Sequence, residues 1–267
     1  MQQINSYLKI FYRMKWTGFV GIFFGLVFFI WLIAIAVAPV HKAKEIQNLV
    51  NADSVFTEKF DSIFYHPDIV NLIKGKAYKE ALLNLSKNDS IQLVINLSDS
   101  IINLSIKGVV IHQTNITEFK KDRLLRDLPL IHEIKLFSQP LPVLSYYSTI
   151  VKEPIVVRHA PKNPEEAALN AYQPDTLIQN PAFVACTIEH NFNIIFEQEE
   201  NEGFYDNWKK FGFYLHLGFK KTIKSLENYF GLKKQEYQPV ISIKIPVDDL
   251  RAIYRALPAK TFIVLKL

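Results

Sequence analysis

Between Thr17 and Val40 no charged residue interrupts the chain, and the run TGFVGIFFGLVFFIWLIAIAVAPV is apolar on every side of a helix. About 20 such residues suffice to cross a hydrocarbon core of roughly 30 Å, so the pattern predicts a transmembrane helix over 17–40. A run that is apolar all round and lies beside the first residues reads as a span rather than as the buried helix of a soluble core. Trp16 and Trp31 suit interfacial or lipid-facing positions, and Gly18, Gly21 and Gly25 permit close helix contact.

Beyond the span the apolar residues fall at helical spacing. Ile46, Leu49 and Val50 are followed by Val55, Phe56, Phe60, Ile63 and Phe64, then by Tyr78, Ala81, Leu82 and Leu85. His66-Pro67-Asp68 places a proline at a helix start. Residues 41–88 are therefore expected to form a short helical stalk. At Asp89 the period shortens to two: Ile91, Leu93 and Ile95 alternate, Ile101, Leu104 and Ile106 follow, and a Lys107-Gly108 turn leads into Val109, Val110 and Ile111. That is a β-meander. Further strands are expected at Ile131–Phe137, Thr149–Val157, Phe183–Ile188 and Phe192–Phe196, the last two joined tightly at Glu189-His190-Asn191.

A long helix is expected next, because Phe204, Trp208, Phe211, Leu215, Phe219, Ile223, Leu226 and Phe230 recur every three or four residues. Core packing is the commoner use of such a stripe. The second use, with Lys209, Lys210, Lys220, Lys221 and Lys224 alongside, is a helix on a membrane surface or against a partner. Phe213, Tyr214 and Leu217 lie off the stripe and are candidates for contact with other subunits. The chain ends as strand, helix, strand: Ile241, Ile243 and Ile245 face one way with Ser242 and Lys244 the other, Asp248 is positioned to cap a helix, and Thr261–Leu267 forms a last strand.

The charge around the span orients it. Lys9, Arg13 and Lys15 precede it without an acidic residue, whereas Lys42 and Lys44 follow it with Glu45, which favours a cytoplasmic N-terminus. Ala36-Val37-Ala38 resembles a signal cleavage site, but the run is long for a signal peptide and Pro39 would follow the cut, so a retained signal anchor is expected. The 267 residues carry a net charge of +5, yet the lysines are scattered and no recognition module accompanies them, so nucleic acid is not an expected partner. One cysteine, Cys186, excludes a disulfide scaffold and a thiolate metal site and reads as a small buried strand residue. The seven histidines show no metal-ligand spacing, and no cofactor motif is present. Glu197, Glu199, Glu200 and Glu202 form an acidic cluster that reads as a solvated loop.

The closing segment, ISIKIPVDDLRAIYRALPAKTFIVLKL, resembles the end of the L,D-transpeptidase catalytic domain (the YkuD family), in which a G-C-I-R-L nucleophile strand precedes a D-x-x-x-L-Y helix and a final strand. IQLVINLSDSIINLSIKGVV resembles its opening hairpin, and VVRHAPKNPEEA and FVACTIEHNFNIIFEQ are similar to its middle segments. The resemblance implies an extracytoplasmic domain that handles peptidoglycan peptides through a cysteine thiolate and a nearby histidine. Here Ser242 stands at the cysteine's place, Lys244 at the arginine's, and Ile241 and Val240 where Gly and His are expected. Aligning FNIIFEQ on the histidine segment puts Phe196 at the histidine; aligning YLHLG recovers His216 but lengthens the spacing to Ser242. A serine hydroxyl needs an adjacent base to attack, and none is evident, although a Ser242/Lys244 dyad on one strand face is conceivable.

A second resemblance is to the O-glycosylation signal of periplasmic proteins in Bacteroidetes-type bacteria. Asp-Ser or Asp-Thr before an aliphatic residue recurs at Ser54, Ser62, Ser90, Ser100 and Thr176. Capping of turns and helices by Asp-Ser is the alternative reading, and either places these sites at the surface.

The expected organisation is a cytoplasmic tail (1–16), one N-terminal transmembrane α-helix (17–40), a short helical stalk (41–88), and a β-rich α+β extracytoplasmic domain (89–267), L,D-transpeptidase-like, with a helical insertion at 204–232. The expected function is a non-catalytic scaffold or binding protein of the bacterial envelope. Its expected partners are the lipid bilayer through 17–40, peptidoglycan, and other envelope proteins of an assembly such as a secretion machine. Ser242, Lys244 and His216 are the candidate groove-lining residues. The alternative is a working peptidoglycan L,D-transpeptidase or related cell-wall enzyme.

Overall fold

The uncharged run becomes the middle of one uninterrupted helix, α1 (Gln2–Ala52), in a computed structural model that describes residues 2–52, 66–152, 181–199 and 203–267. Through Val20–Leu49 this helix is long and apolar enough to cross a membrane. It contains Pro39 and carries on past residue 41, so the first part of the expected stalk is a continuation of the apolar helix. Lys42 and Glu45, one turn apart, pair at 2.8 Å. The expected helical residues Val55 to Phe64 lie outside the described residues.

The chain divides into two units, one of Met1–Ser54 with Gly218–Tyr237, the other of Val55–Leu217 with Gln238–Leu267. In the second unit α2 (Pro67–Leu85) begins on its proline as expected. It is not a free stalk. Ala81 and Leu85 are buried against Val94 and Val264 of the sheet, with Tyr78, Leu82 and Phe262 around them, so α2 belongs to the folded domain.

Among the described residues the sheet has nine strands: β1 (Gln92–Asn96), β2 (Ile101–Ile106), β3 (Val109–Asn115), β4 (Glu118–Lys121), β5 (Leu141–Ser148), β6 (Phe183–Ile188), β7 (Phe192–Gln198), β8 (Val240–Ile245) and β9 (Phe262–Lys266), in the order β3-β2-β1-β9-β5-β6-β7-β8-β4. The β1–β2–β3 meander is antiparallel, and its second turn places Lys107 and Gly108 at φ 51° and 82°, a left-handed region that glycine adopts freely. Every residue of β1 is buried, as a strand covered on both faces requires. The β6–β7 hairpin turns through Glu189–Asn191, with His190 and Asn191 at positive φ.

Two expected strands differ, and one strand is found that the sequence pattern does not predict. Ile131–Phe137 is not a strand but lies in helix α4 (Leu130–Phe137), which follows a short turn of helix, α3 (Arg123–Arg126). Leu130, Ile131 and Ile134 recur at helical spacing, and Pro129 supplies the extended residue that starts the helix. The strand expected at Thr149–Val157 lies earlier, at β5, which ends at Ser148; residues 153–157 are outside the described residues. The β4 strand was not expected, because four residues are too few to show alternation.

After β7 comes the long helix α5 (Phe204–Phe230), and after β8 the helix α6 (Val247–Ala256). The residue at the N-cap of α6 is Pro246 rather than Asp248; Asp248 sits in the first turn, where its charge still suits the helix N-terminus, and accepts from Arg251. Asp249 ties α6 to the meander by accepting from Thr114 at 2.6 Å and pairing with His112 at 3.1 Å.

Candidate functional site

Strict alternation makes β8 a strand with two unlike faces. Ile241, Ile243 and Ile245 are buried, while Val240, Ser242 and Lys244 are half-buried on the other side. β8 runs parallel to β7, pairing Ser242 with Ile195 and Lys244 with Glu197, and antiparallel to β4, pairing Ser242 with Lys120 and Lys244 with Glu118. The two candidate residues therefore share a face, as the spacing implies, but each is engaged by a different carboxylate.

Ser242 donates a hydrogen bond from its hydroxyl to Glu197 Oε1 at 3.0 Å. The same oxygen accepts from the Tyr214 hydroxyl, and Oε2 accepts from Lys210 Nζ at 2.5 Å. Glu197 is thus the centre of the site. Its side chain is 7% exposed, which overturns its reading as part of a solvated loop. It is the second-last residue of β7, Glu199 follows at the surface, and Glu200 and Glu202 lie outside the described residues. Burial pushes the Glu197 carboxyl up, but the hydrogen bonds from Lys210 and Tyr214, the lysine charge and the serine hydroxyl outweigh it and hold the group below its ordinary value. Burial, and then the adjacent carboxylate, push the Tyr214 phenol well up.

Lys244 pairs instead with Glu118 at 2.5 Å. The hydrogen bond that Lys244 donates to Glu118 raises Lys244, and the hydrogen bonds from Lys244 and Lys120 hold Glu118 down at about 2. The Ser242/Lys244 dyad is not formed: the amine is charged and turned to its own partner. His216 is not brought to Ser242 either. Its ring stacks on Tyr147 at 4.2 Å and 16°.

The face is covered by the chain itself. Phe213 of α5 is buried with Phe183 and Ile195, its ring 5.6 Å from Phe183 and stacked at 5.3 Å on Tyr147, and Leu217 packs at the edge of this cluster. Phe213, Tyr214 and Leu217, expected to meet other subunits, hold the first half of α5 to its own sheet. A helix that binds by this side presents its other side to the surroundings. All eight residues of the stripe from Phe204 to Phe230 are exposed, from 37% for Leu226 to 85% for Phe204, so the core reading of the stripe is overturned.

In the other unit, the second half of α5 lies along α1. Trp31 Nε1 donates to Ser225 Oγ at 3.1 Å and the Tyr229 hydroxyl donates to the Val27 carbonyl at 3.2 Å. Ser225 donates to Gln235 at 2.7 Å, and Lys224 pairs with Glu236 at 2.7 Å.

Cys186 is buried on β6, its thiol donating to the Ile194 carbonyl at 3.6 Å, and burial pushes it up to about 12. A thiol so placed is inert. Among the described residues no group of three or more His, Cys, Asp or Glu is placed to hold a metal ion. Of the candidate modification sites, Ser90 is exposed and Ser100 half-buried, with Asp99 exchanging two hydrogen bonds with Asn96 in the β1–β2 turn. Ser54, Ser62 and Thr176 lie outside the described residues. Compared with protein-family models, curated proteins and solved structures, the chain matches none.

Proposed function

We propose that this chain is a membrane-anchored, non-catalytic scaffold or binding protein of the bacterial cell envelope. In this reading α1 is a single-pass signal anchor in the inner membrane with its N-terminus in the cytoplasm, and the sheet domain stands in the periplasm. There it braces or binds peptidoglycan, or partners in an envelope-spanning assembly such as a secretion machine. The flanking charges support the orientation, and the sequence resemblance supports peptidoglycan as the ligand class. The exposed aliphatic residues Val109, Val110 and Ile111 on β3, an edge strand, support a protein contact.

The observation that carries the non-catalytic reading is the Glu197 carboxylate, paired with Lys210 and held below its ordinary value under α5. A general base works best with a pKa near the operating pH. Glu197 is held low and already accepts from Lys210, Tyr214 and Ser242, while α5 lies over the same face. The polar groups neutralise one another and fasten a helix to a sheet.

A working enzyme is the second reading, favoured by one observation: the 3.0 Å hydrogen bond from Ser242 to Glu197 has the geometry of a nucleophile and its base. Incubation of the full chain in lipid nanodiscs with muropeptides separates the two. Binding without product is expected, and product formation that Ser242→Ala abolishes refutes the scaffold. Purification from solubilised membranes tests the assembly: co-purifying envelope proteins are expected, and a lone monomer that binds muropeptides removes that part of the proposal.

A further inference from the structure

The first half of α5, up to Leu217, belongs to the sheet unit and has two apolar sides. Phe213 and Leu217 pack on the sheet, while Phe204, Trp208, Phe211 and Leu215 point the opposite way at 85%, 62%, 56% and 58% exposure. Trp208 and Phe211 already touch, with ring centroids 5.8 Å apart. Contiguous apolar surface of this kind marks a contact.

The spacing of the row indicates its occupant. It advances in steps of four, three and four residues, the alternation that keeps side chains on the seam of a helix pair. That series reads the same from either end. Two copies of α5 laid antiparallel about a two-fold axis midway between Trp208 and Phe211 therefore bring Trp208 opposite Phe211 of the second copy, and Phe204 opposite its Leu215. Every seam residue meets a seam residue, as a closed two-fold contact requires. The positions beside the row, Tyr205, Asn207, Gly212 and Tyr214, are uncharged, so the two-fold sets no like charges against each other. Asp206, Lys209 and Lys210 fall by helical spacing on the sheet side, where Lys210 meets Glu197. Gly212 has open space where a side chain would stand, which admits a second helix. The next position of the alternation is Gly218, so the seam closes where the sheet unit ends.

The area is sufficient for two copies. With about 150–250 Å² for a whole aromatic side chain, the exposed parts of the four seam residues and of Tyr205, itself 51% exposed, come to roughly 600 Å² in each copy. The pair would bury about 1,200 Å², against the roughly 1,000 Å² that a specific interface needs. We infer that this side of α5 is a homodimer interface, formed by two copies of the chain pairing antiparallel through Phe204, Trp208, Phe211 and Leu215. The inference concerns the sheet unit alone and does not depend on where α1 lies. In the dimer α5 is covered on both sides, by its own sheet through Phe213 and Tyr214 and by the second copy through Trp208 and Phe211.

The test uses the full chain in phosphatidylcholine vesicles and a short bis-maleimide cross-linker, which the buried Cys186 does not meet. In an antiparallel pair with this axis, at about 1.5 Å per residue, the two copies of residue 211 lie about 5 Å apart along the helices and those of residue 204 about 17 Å. Phe211→Cys is therefore expected to cross-link with itself. Phe204→Cys and Leu215→Cys are each expected to stay uncross-linked alone, and an equal mixture of the two to cross-link. Adding Trp208→Glu to the Phe211→Cys chain is expected to raise the protein-to-lipid ratio needed for half-maximal cross-linking about 30-fold, the scale of a central aromatic anchor. Cross-linking of Phe204→Cys alone, as efficient as that of Phe211→Cys, overturns the antiparallel two-fold. Cross-linking that Trp208→Glu leaves unchanged places the contact elsewhere and overturns the inference. No cross-linking at 211 overturns it as well, and a fluorophore on that cysteine then names the occupant: quenching by spin-labelled acyl chains means lipid, quenching by iodide means water, and shielding from both means another part of this chain.

Discussion

Removing the Glu197 carboxylate should release the first half of α5 from the sheet, by an amount that the burial of the site sets. Glu197 is 7% exposed and its partner Lys210 28% exposed. Breaking a buried ion pair by deleting one partner costs about 3–5 kcal/mol, because the other charge is left without compensation. Lys210 still reaches water, which puts Glu197→Ala at the lower end, about 3 kcal/mol. Ser242→Ala removes one of three donors and leaves the other two, costing about 1 kcal/mol. Tyr214→Phe keeps the ring but removes a donor to a charged acceptor, costing about 1.5–3 kcal/mol. Native-state hydrogen exchange of the α5 amides between Phe204 and Leu217, in the full chain in nanodiscs, reads these values as local opening. At 1.4 kcal/mol per tenfold, Glu197→Ala should speed exchange about 100-fold and Ser242→Ala about fivefold. Equal effects of the two substitutions, or no effect of Glu197→Ala on these amides, would refute Glu197 as the fastening point.

Three shorter predictions follow from the same structure. Glu118 has a folded pKa of about 2 against an ordinary 4.5, so its stabilisation is complete above pH 4.5 and is lost as pH falls through 2; the urea midpoint of Glu118→Gln should decline less over that window than that of the parent chain, and parallel curves would disprove the linkage. The Cys186 thiol, buried and raised to about 12, should resist maleimide at pH 8 until the domain is unfolded by denaturant, whereas rapid native labelling would contradict its placement. Gly108→Ala places a side chain at φ 82° and 3.1 Å from Ser86 Cβ, and should lower stability by about 1–2 kcal/mol in thermal melts; an unchanged melting temperature would show that the turn relaxes.

Much of the local structure was legible because it depends on neighbours in sequence. The alternation of Ile241, Ile243 and Ile245 with Ser242 and Lys244 sets the two faces of β8, the Lys107-Gly108 pair permits the left-handed turn into β3, and Pro67 starts α2. The site was legible in part. That Ser242 and Lys244 share a face follows from the period of a strand, but their carboxylate partners come from β7 and β4, and pairing between strands distant in sequence leaves no mark on either one. Glu197 was hidden for the same reason. In sequence it heads a run of glutamates; in space it is covered by a helix that begins seven residues later.

The amino-acid order of this protein determines the long apolar helix, the periods of its strands and the amphipathic character of α5, since each is a property of side chains a few residues apart. The choice between the two apolar sides of α5 was made by tertiary structure. The longer stripe outnumbers Phe213 and Leu217, yet the sheet takes the shorter set, because Phe183 and Ile195 pack against Phe213 while Glu197 supplies an acceptor for Tyr214 and Lys210. Counting apolar residues along a helix measures how much surface must leave water, and only the complementary shape and charge of a neighbouring element decides which part leaves it inside the domain.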